Sequence, residues 1–451
     1  MEHDYEQATG TGLIMIQGGT FTMGRVEQDI TYDWNNVPRR VTVSSFYIDE
    51  TEVRNLDYRE YLYWIRRVFV SYPQVYRTAL PDTLVWRSPL AYNEPYVQYY
   101  FRHPSYNQYP IVGVNWLQAS NYCSWRTDRV NEGILISEGV LNLDPNQQDE
   151  DNFNTEAYLV GEYIGLVNRN LPSLDPNKEV RSVMLEDGIL LPKYRLPTEA
   201  EWEFAALALI GNTYEERIYE RRIYPWEGHH LRNPQKRNQG KMMANYVRGR
   251  GDLMGTAGFL NDNASITIPV KAFWPNDYGL YCMAGNVNEW VLDVYRPLSF
   301  EDVDAFNPFR GNVFKALERD EDGIVVGRDS LGRLRYRDIT PEESADRYNY
   351  QKADYINHLD GDLQSSISET ATDRWLGSDG KTGSGRMYKQ DIESDYTSLI
   401  NNQARVFKGG SWRDRAYWLC PATRRFLDQE SSRADLGFRC AMIRVGSPDG
   451  F

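Results

Sequence analysis

Residues 409–425 read GGSWRDRAYWLCPATRR, and Cys420 is the only thiol in that run. A cysteine set among arginines, a serine and tryptophans has surroundings that could lower its pKa or offer a soft metal a first ligand. The same residue also suits a plainer role, as a small apolar side chain in a partly buried loop. Three further cysteines, Cys123, Cys282 and Cys440, are scattered along the chain. No CxxC occurs, and no Cys/His set has zinc spacing. The histidines are dispersed too, apart from His229 and His230 in PWEGHHLRNP, and adjacent rings on a polar loop are ordinarily solvated.

The elements that must position these groups are short. LIMIQGGTFTMG (13–24) reads as a strand, a Gly-Gly turn and a second strand, and RRVTVSSFYIDETEV (39–53) as a strand running into a turn. NLDYREYLYWIRRVF (55–69) has helical spacing of apolar residues, with Asn55 as the expected N-cap. YPIVGVNW (109–116) has the look of a buried strand. It leads into a helix bearing Cys123, where Asn115 and Gln118 form a capping box. Thr198 and Glu201 form a second one at the start of RLPTEAEWEFAALAL. LGFRCAMIRV closes the patterned part as a terminal strand. Residues 131–192 and 296–404 are polar, acidic and loosely patterned, as insertions between better-patterned blocks would be. The fold class expected is therefore α+β: one domain, 1–451, interrupted by two insertions.

The totals exclude several classes. A net charge of −14 over 451 residues disfavours a nucleic-acid partner. No apolar run reaches 18 residues, so no spanning helix is expected. The opening MEHDYEQATGTG lacks the charged-then-apolar arrangement of a signal peptide.

Eight blocks in order, MIQGGTFTMG, FYIDETEV, YPIVGVNWLQASNYCSW, RLPTEAEWEFAA, YPWEG, GLYCMAGNVNEW, FKGGSW and LGFRC, resemble the formylglycine-generating enzyme (sulfatase-modifying factor) family. The resemblance spans nearly the whole chain and implies that family's C-type-lectin-like fold. Within it, DWNNVPRRVTVSSFYIDETEV, LPDTLVW and WRTDRVNE are similar to gliding-motility lipoproteins of the type IX secretion machinery. That likeness implies a protein on the periplasmic face of the outer membrane, held by an N-terminal lipid whose cysteine and signal peptide are not in this sequence. It also implies other envelope proteins as partners, met through the insertions.

The family chemistry implied is a copper-dependent oxidase whose two cysteine thiolates lie three and eight residues after the serine of GGS. That serine is Ser411, followed by Trp412, and the matching positions hold Asp414 and Leu419. A carboxylate is a hard ligand and leucine is none, so no copper is expected and the site, Cys420 included, reads as degenerate. The alternative is an active oxidase using Cys420 or Cys282 in an unusual site. The resemblance further implies a disulfide between Cys123 and Cys440. It also implies calcium at two places: Asn245 and Asp262 by side chain with Tyr246 and Ala264 by backbone, and, more weakly, Gly285, Val287 and Glu289. At the second place Cys282 stands where an oxygen ligand is expected. Arg413, Asp414, Arg415, Arg424 and Arg425 are expected to form local ion pairs of small value.

Overall fold

The computed structural model describes residues 10–25, 35–173, 179–211, 222–226, 228–248, 264–295, 315–338 and 403–445. Its two ends are tied together by one antiparallel sheet. In that sheet β4 (Phe46–Asp49) lies between β1 (Leu13–Ile16) and β14 (Ala441–Ile443), with β7 (Tyr194–Arg195) on the far edge. β2 (Gly19–Met23) does not fold back on β1 across the glycines; it pairs with β3 (Arg39–Val43). A second sheet has the order β12 (Arg425–Asp428), β11 (Ala404–Lys408), β8 (Asn288–Val294), β13 (Leu436–Gly437), antiparallel except where β13 joins β8. Two minor ladders complete the strands described: β5 (Leu171–Pro172) with β6 (Val180–Arg181), and β9 (Lys315–Leu317) with β10 (Tyr336–Asp338).

The helices cover these sheets. In α1 (Asn55–Val68), Tyr58, Tyr61, Leu62, Ile65 and Val68 recur at helical spacing and are buried. They pack with Tyr122 and Cys123 of α4 (Trp116–Ser137) over Trp290, Phe407 and Phe438. α2 (Pro73–Ala79), α3 (Glu94–Tyr99) and α5 (Thr155–Val160) are single short pieces. Every residue of α6 (Glu199–Leu207) is buried, three glutamates among them. Such carboxylates need partners. Glu199 has Arg424 at 2.7 Å and Lys408 at 3.2 Å, Glu201 has Arg195 at 2.7 Å, and Glu203 has Lys408 at 2.7 Å.

Both capping boxes are present, at Asn115–Gln118 and Thr198–Glu201. Two other expectations need correction. The first residue of α1 is Asn55, not its cap; Asp57 accepts the Arg54 backbone N–H at 3.1 Å, and the Asn55 amide turns inward to the carbonyls of Tyr100 and Tyr106. YPIVGVNW is buried but is no strand. Gly113 sits at φ +74°, where a Cβ would lie 2.2 Å from the Asp82 carbonyl oxygen, and the segment bonds singly to Val53 and Arg433 instead of forming a ladder.

The first insertion begins within α4, which runs six residues past 131, and builds its own small core of Leu135, Val140, Leu141, Phe153, Tyr158, Val183 and Leu190. The described part of the second, 315–338, docks on it. Asn152 donates to the Leu331 carbonyl at 2.8 Å, Arg328 to the Glu150 carbonyl at 2.7 Å, and the Tyr336 hydroxyl to Glu156 at 2.9 Å. The ends of the second insertion are adjacent, because the Tyr295 N–H donates to the Ala404 carbonyl at 2.7 Å. No helix among the described residues is long and apolar enough to cross a membrane.

Candidate functional site

The GGS turn follows β11 directly, and its conformation depends on glycine. Gly410 has φ +69°, and a Cβ there would lie 2.7 Å from the Trp418 carbonyl oxygen. The turn delivers Ser411, fully buried, to a polar cluster at the end of the second sheet. The Ser411 hydroxyl lies 2.7 Å from Asp414 Oδ2 and 3.1 Å from Asp435 Oδ2. Arg425, the first residue of β12, grips Asp414 with both terminal nitrogens, each at 2.8 Å. Asn288, the first residue of β8, donates to Asp414 Oδ2 at 3.1 Å and accepts from Arg425. Arg433 closes the far side on Asp435 at 2.9 and 2.8 Å. Burial alone would push the Asp414 carboxyl up. The Arg425 guanidinium, through hydrogen bonds and charge, with Ser411 and Asn288, outweighs it and holds Asp414 below its ordinary value.

This is not the loose surface pairing that the sequence suggested. The Arg425 side chain is 17 % exposed and that of Asp414 11 %, and the guanidinium lies 4.4 Å from the Trp418 ring and 4.9 Å from that of Phe407. Arg424 is fully buried on Glu199, while Arg413 and Arg415 are exposed. The residues at the two copper-ligand positions do not fit the metal. Both oxygens of Asp414 are engaged by Arg425, and Leu419 is a fully buried hydrocarbon. Trp412 stacks on Trp86 at 5.9 Å and its indole donates to the Ala434 carbonyl at 3.3 Å. Cys420 is half-buried and ends the 3-10 turn Ala416–Leu419; its carbonyl accepts from Thr423 N–H at 3.0 Å and Thr423 Oγ1 at 2.8 Å. Cys282 is buried at φ +53°. Burial, then the charge of Glu52, pushes its thiol well up, which opposes a reactive thiolate.

Cys123 and Cys440 are brought together. Their sulfurs lie 3.4 Å apart in the main core, as thiols rather than at the ~2.05 Å of a bond. Burial, then the neighbouring Cys123 thiol, pushes Cys440 well up. At the first calcium position the Asn245 amide donates to the Ile266 carbonyl at 2.8 Å, which sets the segments of Asn245, Tyr246 and Ala264 side by side; Asp262 lies outside the described residues. At the second, Glu289 is fully engaged. Arg439 reaches its two oxygens at 2.6 Å each, and the Trp202 indole donates at 2.7 Å. A guanidinium already supplies the positive charge there, Cys282 offers no hard oxygen, and this donor set suits calcium poorly. Gly285 and Val287 are held by the turn itself, with the Gly285 N–H on the Gly409 carbonyl at 3.0 Å. No group of three or more metal-ligating side chains occurs among the described residues.

The residue that sequence reasoning missed here is Glu52. It is buried beside Arg439, Glu289 and Cys282; its Oε1 accepts from Asn286 at 2.9 Å and its Oε2 has no hydrogen-bond partner among the described residues. Burial pushes its carboxyl up to about 8, against the pull of Arg439. Asn288, Arg425 and Asp435 were missed as a cluster for a different reason: three separate segments supply them, and no local spacing joins them.

A family-wide sequence profile, the sulfatase-modifying factor enzyme 1-like domain, matches residues 2–443. The mouse formylglycine-generating enzyme is 25% identical over 300 residues, covering 63% of this chain and 58% of that protein, so the chain spans less than two thirds of its relative's length. A Bos taurus protein named inactive C-alpha-formylglycine-generating enzyme 2 is 24% identical over 302 residues, 63% of this chain and 71% of that protein. The enzyme of Thermomonospora curvata is 39% identical over 121 residues, 26% of this chain and 34% of that protein. Among solved structures, PvdO from Pseudomonas aeruginosa aligns with a TM-score of 0.42 at 14% identity, over 96% of this chain and 94% of that one. By the extent of the profile match, the chain belongs to the sulfatase-modifying factor enzyme 1-like family, the family of the formylglycine-generating enzymes.

Proposed function

We propose that this protein is a non-catalytic scaffold: a lipoprotein of the gliding-motility and type IX secretion machinery, on the periplasmic face of the outer membrane. It keeps an enzyme fold and meets other envelope proteins through the insertions at 131–192 and 296–404. The observation that carries the non-catalytic part is the Asp414–Arg425 pair. Where the family chemistry requires two thiolates, this chain has a carboxylate neutralised by a guanidinium, and a leucine. The gliding assignment rests on the likeness of DWNNVPRRVTVSSFYIDETEV and its companion blocks. Mutual docking of the two insertions supports a joint contact surface at one side of the fold. In the oxidising periplasm, Cys123 and Cys440 form a disulfide in this reading. Calcium, if bound, takes the Asn245 position.

Two measurements test the proposal. Oxygen uptake by the purified protein with copper, a thiol reductant and a cysteine-containing peptide should equal that of the buffer; turnover abolished by Cys420→Ser would establish the oxidase alternative instead. Crosslinking with mass spectrometry in the native envelope should return secretion or motility components attached at 131–192 or 296–404. Crosslinks confined to other envelope proteins would refute the assignment.

A further inference from the structure

α1, α2 and the 3-10 turn Thr83–Trp86 leave a groove of about 610 Å³ between them, away from both insertions and from the GGS turn. Its floor is apolar, with Leu62 and Phe101 buried beneath and the Tyr76 ring along one wall. Two large side chains stand out of it, Tyr63 at 70% and Leu80 at 39% exposure. Single exposed apolar residues are normal; a pair over a preformed apolar groove marks a contact surface.

The rim is cationic. Arg59, Tyr63 and Arg66 fall four and three residues apart on α1, which puts them on one helix face, with the two arginines about 10 Å apart along the axis. Arg102 also lines the groove. Among the described residues none of these three arginines pairs with a carboxylate: Arg59 donates to the Arg102 carbonyl at 2.9 Å and to Asn107, and Arg66 lies 6.0 Å from the Tyr76 ring. The acid at the groove, Asp82, is spent capping its own turn at 2.8 Å from the Leu84 N–H. Residues 59–106 hold six arginines against three carboxylates, in a chain whose net charge is −14. The protein is acidic, and this face is the reverse.

We propose that this groove docks an acidic segment of a partner protein, one in which carboxylates flank a bulky apolar side chain. The apolar side chain fills the groove over Leu62 and Phe101. The carboxylates meet Arg66 and Arg102, whose planar forks suit bidentate capture of carboxylates. The surface lies outside both insertions, so it stands whether or not they bind anything.

The test uses the full chain and a fluorescein-labelled peptide of repeated Asp-Phe-Glu, followed by anisotropy. Two control peptides replace phenylalanine by serine, or the acids by lysine. The acidic aromatic peptide should bind, and more weakly at raised salt. Arg66→Glu/Arg102→Glu should weaken it by about tenfold or more, a loss two rim charge reversals can supply. Leu80→Asp should weaken it similarly, while Arg67→Glu, also on α1 but off the groove, should not. Thermal melting of each variant verifies the fold. The proposal is overturned if the peptide fails to bind, if the serine control binds equally, or if the groove variants bind as the parent does. Binding to phosphatidylglycerol vesicles in place of the peptide would also overturn it, in favour of a lipid surface.

Discussion

Arg425→Met removes the guanidinium that holds Asp414 and leaves the rest of the cluster in place. The substitution keeps a long apolar stem against Phe407 and Trp418, so packing loss is small. What remains is a carboxylate 11 % exposed, a few ångströms from the Asp435 carboxylate through their shared Ser411. Removing one partner of a buried pair costs about 3–5 kcal/mol, and the residual exposure here argues for the lower end, about 3 kcal/mol. Over 451 residues, at an unfolding entropy of about 2.1 cal/mol/K per residue, that is a fall in Tm of about 3 °C. Asp414→Asn/Arg425→Met removes the stranded charge as well and should recover most of the loss, leaving about 1 kcal/mol. A pH series adds a sign. Asp414 is held below its ordinary 3.8, so the pair contributes stability above that pH and loses it as pH falls through the lower folded value. The deficit of Arg425→Met should therefore narrow in acid. Urea unfolding followed by tryptophan fluorescence measures all of this. A single-variant loss under about 1 kcal/mol, or a double variant no better than the single, would refute the structural role given to this pair.

Three further outcomes follow from the core. Glu52, raised from 4.5 to about 8, is more protonated folded than unfolded between those values, so wild-type stability should fall as pH rises through that window. Glu52→Gln should flatten the slope, and an unchanged slope in pH-dependent melting would exclude Glu52 as its source. Protein isolated from an oxidising compartment should yield only two thiols to Ellman's reagent after unfolding without reductant. Cys440→Ser should cost up to about 6 kcal/mol in the chain-entropy picture of a loop spanning 317 residues. Four titratable thiols would rule the bond out. Replacing residues 300–400 by a short turn should leave a folded core, because Tyr295 and Ala404 are already hydrogen-bonded neighbours, while partner pull-down is lost. Retained pull-down would move the interface elsewhere.

The readable parts of the sequence were those fixed locally. The capping boxes of α4 and α6 close over three residues, so Asn115–Gln118 and Thr198–Glu201 could be placed before any tertiary contact was known. YPIVGVNW misled because its composition reports burial, and burial does not distinguish a strand from an irregular segment bonded singly at Gly113. In the candidate site, the residues at the two positions that the resemblance assigns to metal ligands, Asp414 and Leu419, could be read from the order after Ser411. What surrounds them could not. Arg425 is eleven residues beyond Asp414, at the start of β12, and Asn288 and Asp435 arrive from two further segments. The same holds for Lys408 of β11, whose burial is explained by its ion pairs with Glu199 and Glu203 of α6, distant in the sequence.

Titration of the fully reduced protein with Cu(I) against a chromogenic chelator bears most directly on the claim that this frame no longer carries its family's metal chemistry. No copper should be withdrawn from the chelator beyond what Cys420→Ser also withdraws. One tightly held equivalent, bound by sulfur and lost in Cys420→Ser, would contradict it.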